Sequence, residues 1–217
     1  MQPNIELTTE YYADYLKKIQ KQLSNPYSPL GRHHKNLNGF IRSGLADLAP
    51  GARVLDAGCG LSQWVNPEIR QRHHVIGVDV QPDSIKACQE IYKGCDYRLA
   101  DLYALEFKDD EFDAVVMREV IEHFRTPEKA VKEVYRVLKP GGVYVLTTPN
   151  YDSLLLHFIE HTYNRFFGGP CKPYLDDVHP SKFRVKTLRD LLSKYFRIER
   201  YGTLDYGINL TCVARKT

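Results

Sequence analysis

Two apolar runs, each closed by an acid, constrain this chain more than any other feature. Val54-Leu55-Asp56-Ala57-Gly58-Cys59-Gly60 reads as a buried strand of β-branched and aliphatic residues that runs into a glycine turn. Val75-Ile76-Gly77-Val78-Asp79 reads as a second such strand, with its acid nineteen residues after Gly60. Glycines at 58 and 60 let the backbone turn tightly and come close to a ligand that a Cβ would hold away. An acid at the offset of Asp79 suits paired hydrogen bonds to the two hydroxyls of a ribose. Together the runs predict a nucleoside-containing cofactor at the carboxyl ends of parallel strands.

The turn narrows the choice of cofactor. A dinucleotide fingerprint needs a third glycine at position 63 to seat a pyrophosphate, and that position is Gln63. No Gly-Lys-Ser/Thr follows the turn, so a P-loop is excluded. The acid-x-Gly-x-Gly pattern resembles the first motif of the class I S-adenosylmethionine-dependent methyltransferases, whose cofactor carries no phosphate. The resemblance runs in order over roughly residues 50–215. Asp79 matches the family's ribose acid, and Ala100-Asp101-Leu102 matches the segment that borders the adenine. Phe112 to Met117 matches the fourth strand, Leu138-Lys139-Pro140-Gly141-Gly142 the following turn, and Val143 to Leu146 the fifth strand. One departure is Ser62, where the family often has a further glycine. The resemblance implies a Rossmann-like, doubly wound, mostly parallel α/β sheet with helices on both faces and a C-terminal antiparallel hairpin. It also implies S-adenosyl-L-methionine as cofactor and S-adenosyl-L-homocysteine as product. Asp56, Gly58, Gly60, Asp79, Val80, Asp101, Leu102 and Arg118 are the cofactor residues it implies, within the quinone-precursor type of small-molecule methyltransferase.

Composition bounds the rest. A chain of 217 residues, 43% hydrophobic, has room for one domain with a full core. No apolar run approaches the roughly 20 residues needed to span a bilayer, and Met1 to Glu6 lacks a signal-peptide layout. Five cysteines without a Cys-x-x-Cys pair read as reduced thiols of a cytoplasmic protein. A net charge of +3 is too mild to call for nucleic acid, and basic clusters such as Arg70-Gln71-Arg72-His73-His74 read as solvated faces.

An N-terminal helical cap is expected over residues 1–50, with the methyltransferase domain over 51–217. The cap holds a helix over 8–23, breakers at Pro26, Pro29 and Gly31, and a helix from about Lys35 to Leu48. Tyr11, Tyr12 and Tyr15 either cover the cofactor or belong to the core. Thr126 and Pro127 open a helix whose apolar face is Ala130, Val131, Val134, Val137 and Leu138. A further helix is expected from Val185 to Lys194, followed by two closing strands. Residues 150–180 are expected to form a lid and acceptor pocket, because Leu154, Leu155, Leu156, Phe158, Ile159, Phe166 and Phe167 are too many apolar groups for a solvated loop. The same residues also fit a helix packed on the core or a surface touching a membrane.

Glu119-Val120-Ile121-Glu122-His123 is the best candidate for specific chemistry. On a helix, Glu119, Glu122 and His123 at i, i+3 and i+4 share one face. In one reading they support the pocket wall, as similar segments do in the quinone-precursor enzymes. In a second, His123 is a general base. In a third, Glu119, Glu122, His123 and a distant His179 bind a divalent metal, an arrangement that resembles the small-RNA terminal 2′-O-methyltransferases. The metal reading ranks last here, so activity is expected to survive chelation. The expected acceptor is a small, apolar or aromatic molecule, with nucleic acid not expected, peripheral membrane contact left open and the oligomeric state unread. A metal-assisted RNA methyltransferase and a cofactor-binding protein without turnover are the alternatives.

Overall fold

Period-two apolar patterning gives the sheet two buried faces, and helices cover both. The protein is described here from a computed structural model covering residues 28–62, 64–159 and 179–217. Seven strands are β1 (Arg53–Ala57), β2 (His74–Asp79), β3 (Asp96–Leu99), β4 (Phe112–Arg118), β5 (Leu138–Pro149), β6 (Phe196–Leu204) and β7 (Asn209–Lys216). They lie in the order β3-β2-β1-β4-β5-β7-β6. The first five are mutually parallel, while β7 runs antiparallel to both β5 and β6. Strand order reverses outward from β1, which is the switch point where open α/β sheets bind ligands.

Six helices are α1 (Pro29–Gly44), α2 (Pro67–Arg72), α3 (Pro82–Ile91), α4 (Pro127–Val137), α5 (Leu154–Phe158) and α6 (Val185–Leu192), counted among the described residues. Val54, Ala114, Val116, Val143, Val145 and Val213 point to one face, under Ile41 and Leu45 of the α1 region and Ile69 of α2. Their neighbours Leu55, Val115, Met117, Tyr144 and Leu146 point to the other, under Val131, Val134 and Val137 of α4 and Leu188, Leu191 and Leu192 of α6. This alternation is what a parallel sheet buried on both sides requires.

Two expected boundaries move. The helix read from Lys35 begins at Pro29, because Ser28 caps it by accepting a hydrogen bond from Gly31 N at 3.0 Å. A proline in the first helical turn starts a helix rather than breaking it, since the amide it lacks would have no partner there. The turn expected at Leu138–Gly142 lies inside β5, where the register passes from Phe112↔Leu138 to Ala114↔Val143 and Gly141 takes φ of +75°. The expected helix over 8–23, Tyr11, Tyr12 and Tyr15, and most of the aromatic segment (Tyr163, Phe166, Phe167, Tyr174) lie outside the described residues.

Candidate functional site

The residues expected to hold the cofactor gather at the carboxyl ends of β1 and β2. The Asp79 carboxylate accepts Gly60 N on Oδ2 and Gln81 N on Oδ1, both at 2.8 Å. Burial pushes its pKa up, while the amides of Gln81, Gly60 and Val80 and the nearby His123 pull it back. Asp56 is buried beneath the turn and accepts a short hydrogen bond from the Ser62 hydroxyl. Burial raises its pKa to about 6, against the opposing pull of that hydroxyl. Ser62 has φ of +46°, so the left-handed backbone is kept although the glycine is not. Gly58 and Gly60 also sit at positive φ, +74° and +49°. A Cβ on Gly58 would lie 2.6 Å from Val120 Cγ2, whereas one on Gly60 would meet nothing within 4 Å. Gly58 therefore seats the segment after β4, and Gly60 faces open space at the switch point. The exposed Val80 follows Asp79, and Leu102 is buried next to Asp101, whose Oδ1 accepts Tyr103 N at 2.8 Å.

Arg118 ends β4 and makes a short contact with His34 Nδ1 on α1. Burial, then the charges of Arg118 and His33, lower the His34 pKa to about 3 and keep it neutral. The α1 helix is also tied to the β6–β7 turn, where Asn36 Nδ2 donates to Asp205 Oδ1 at 2.5 Å. Nothing in the local sequence marks His34 for this place.

After β4 the chain does not continue as a helix. Glu119 has φ of +55°, and a single 3-10 turn, Ile121–His123, follows. The shared helical face expected for Glu119, Glu122 and His123 is therefore broken at its first member. The carboxylate of Glu119 accepts Asn209 Nδ2 at 2.8 Å on Oε2, and its Oε1 has no hydrogen-bond partner of normal geometry, with the Thr147 hydroxyl beside it. Burial, with Glu122 nearby, raises its pKa to about 7.

Glu122 and His123 meet His179 instead. Their ligand atoms, one from each residue, all lie within 4.8 Å of one another, and Glu119 stands outside the set. Glu122 is buried, accepts the Thr148 hydroxyl at 2.8 Å, and is raised to about 7 by burial. The His123 and His179 rings pack edge to face with centroids 4.8 Å apart. His179 is buried, with Nδ1 2.9 Å from the Tyr151 hydroxyl. Burial first, then His123 and Lys182, lower its pKa to about 3. The strap that carries it is pinned to the 3-10 turn: Ser181 N donates to Glu122 O at 3.1 Å, and Ser181 Oγ to Phe124 O at 2.6 Å. Thr148, Tyr151, Ser181 and Asn209 escaped the sequence reading as individual site residues; for Thr148 the only signal was its place at the end of β5.

Residues 55–146 match a family model described as a methyltransferase domain. Residues 55–146 are thus a methyltransferase domain, and S-adenosylmethionine is its cofactor. Among named relatives, "Probable tRNA methyltransferase 9B" of Mus musculus is 35% identical over 105 residues, 47% of this chain and 23% of that protein. The mitochondrial ubiquinone biosynthesis O-methyltransferase of Rattus norvegicus is 36% identical over 112 residues, 48% of this chain and 32% of that protein. The matched segment thus spans a third or less of either relative. Magnesium protoporphyrin IX methyltransferase from Synechocystis PCC 6803, with bound S-adenosylhomocysteine, shares the fold at a TM-score of 0.72 and 16% identity, covering 99% of this chain and 100% of that one.

These likenesses correct one expectation. A small-molecule substrate with nucleic acid set aside does not stand, because a relative named for tRNA methylation is as similar here as one named for a quinone. Net charge is an average over the whole surface and says nothing of one acceptor face, so +3 was no ground for exclusion. Among the described residues no helix is long and apolar enough to cross a membrane.

Proposed function

We propose that this chain transfers the methyl group of S-adenosylmethionine to a hydroxyl oxygen of its acceptor, which docks beside a divalent metal ion held by Glu122, His123 and His179. The observation that carries the reading is the convergence of one carboxylate and two imidazoles to within 4.8 Å. The donor set fits such an ion. One carboxylate and two imidazoles suit a borderline cation with positions open to substrate oxygens. His179 is held neutral, as ligation demands, and Glu122 and His179 each carry a further hydrogen bond, to Thr148 and Tyr151. This convergence is the reason to prefer a metal to the metal-free reaction expected from sequence. The likeness to a ubiquinone O-methyltransferase favours oxygen as the methylated atom.

Strand order supports one direction of transfer. Asp101, Leu102 and Val80 flank the adenine near β3, Asp79 takes the ribose on β2, and the space over Gly60, with Asp56 and Arg118 nearby, takes the amino-acid end. The sulfonium methyl then faces the ends of β4 and β5, where Glu122, His123 and His179 stand. Methyl transfer is an in-line displacement with a neutral leaving group, so alignment and exclusion of water carry most of the catalysis. A bound divalent ion would lower the pKa of the acceptor hydroxyl. Glu122 and His123 are the residues positioned to orient that hydroxyl.

The test is transfer of labelled methyl groups into separated RNA and small-molecule fractions by chelator-stripped protein, with and without added Mn2+ or Mg2+. Activity restored only by the ion supports the reading, and the labelled fraction names the acceptor's carrier. Full activity in metal-free protein would overturn it in favour of His123 as base. Cofactor binding without label in any fraction would favour a protein that does not turn over.

A further inference from the structure

We propose that His34 is a positioning residue for cofactor binding: its Nδ1 accepts a hydrogen bond from Arg118 and so aims that guanidinium at the amino-acid end of S-adenosylmethionine. The inference rests on the reading of Arg118 as a cofactor residue. A guanidinium carries donors only, so the lone pair in the Arg118–His34 contact belongs to the imidazole. That leaves the ring proton on Nε2. Burial first, then the charges of Arg118 and His33, lower the His34 pKa to about 3. The ring therefore orients the guanidinium without adding a charge of either sign.

Helix α1 brings the ring to this place. Its inward stripe is Gly31, His34, Leu37 and Ile41, at helical spacing, and His34 is the polar member of those four. Ile41 packs in one cluster with Val54, Val145 and Val213 of the sheet. The seven residues from Ile41 back to His34 span about 10 Å of helix, enough to carry the stripe from the sheet face to the strand end where Arg118 stands. An apolar side chain would continue the stripe without the cost of burying an imidazole, so the gain from His34 lies in its partner. The helix itself is fixed from outside, because Asp205 of the β6–β7 turn meets His33 Nδ1 and accepts Asn36 Nδ2, both at 2.5 Å. Arg118 in turn lies two residues past Val116, which pairs with Asp56 of β1. Its charge opposes the burial that raises the pKa of Asp56 beneath the glycine turn.

Two ligands separate a loss of aim from a loss of fold. S-adenosylhomocysteine carries the amino-acid carboxylate, whereas 5′-methylthioadenosine keeps adenine, ribose and sulfur without it. In calorimetry on the whole chain, His34→Leu should weaken S-adenosylhomocysteine roughly tenfold, the scale of one hydrogen bond to a charged group, and leave methylthioadenosine unchanged. His34→Gln offers an amide oxygen as acceptor and should stand close to the parent with both ligands. Arg118→Met should show the same selective loss, and H34L should add nothing to it. Equal weakening of both ligands in H34L would mean a loosened fold and overturn the proposal. So would parent-like affinity in H34L beside a selective loss in R118M, which leaves Arg118 as a cofactor residue and removes His34. If R118M binds S-adenosylhomocysteine like the parent, the reading of Arg118 fails and the proposal falls with it. Imidazole nitrogen NMR of the parent needs no variant: it should find His34 uncharged and protonated on Nε2 at neutral pH, and a proton on Nδ1 would overturn the proposal.

Discussion

The half proposed for the cofactor and the half proposed for the acceptor are built in opposite ways. At Asp79 both carboxylate oxygens are met by backbone amides, from Gly60 and Gln81, and the turn is shaped before any ligand arrives. Across β4 the polar groups come from side chains of segments far apart in the chain: Glu119 meets Asn209 of β7, and Glu122 meets Thr148 of β5. One half is shaped by backbone amides within short runs. The other is assembled from side chains that only the completed fold brings together.

Four outcomes would sharpen or break that contrast. The largest belongs to the turn: Gly58→Val meets Val120 and a left-handed backbone together, and should cost about 3 kcal/mol or more in denaturant unfolding. Gly60→Ala, with open space around it, should cost only about 1 kcal/mol; equal losses would erase the distinction between the two glycines. Next, Asp79→Ala should weaken cofactor binding by about 2–3 kcal/mol in calorimetry, and unchanged affinity would remove Asp79 from the ribose site.

The third concerns pH. The folded pKa of His34, about 3, lies below its ordinary 6.5, so the folded state binds fewer protons between those values. Its contribution is present above pH 6.5 and is lost as pH falls toward 3. Glu119 and Glu122 act the other way, since their folded values, about 7, exceed 4.5 and favour the fold at lower pH. The informative quantity is the difference between parent and His34→Gln. From pH 7 to pH 5 the parent should lose about 2 kcal/mol relative to the variant, and parallel curves would contradict a buried neutral His34. Smallest is Thr148→Val, which strips one hydrogen bond from Glu122 and should weaken Mn2+ binding roughly tenfold in calorimetry.

The same contrast explains what could be read in advance. Asp56, Gly58, Gly60 and Asp79 lie in two short contiguous runs, and contiguous runs obey local rules of strand, turn and spacing. The opening of α4 at Pro127 was legible for the same reason. The reason for Gly58 was not, since it depends on Val120 arriving from the far side of β4. Helical spacing suggested that Glu119, Glu122 and His123 act together, but a left-handed residue at 119 turns its carboxylate toward Asn209. His179 and Tyr151 are brought together only by the return of the chain after β5, which no local pattern encodes.

The link between α1 and the β6–β7 turn also bears on the order in which the protein can mature. Asp205 holds Asn36 and His33, so the first described helix is fastened to the tip of the last described hairpin. On a ribosome, α1 emerges long before that hairpin exists, and its apolar face has no final seat until β7 pairs with β5. The cover on this side of the sheet is thus a late event in synthesis, completed only after β1 and β2 have been made.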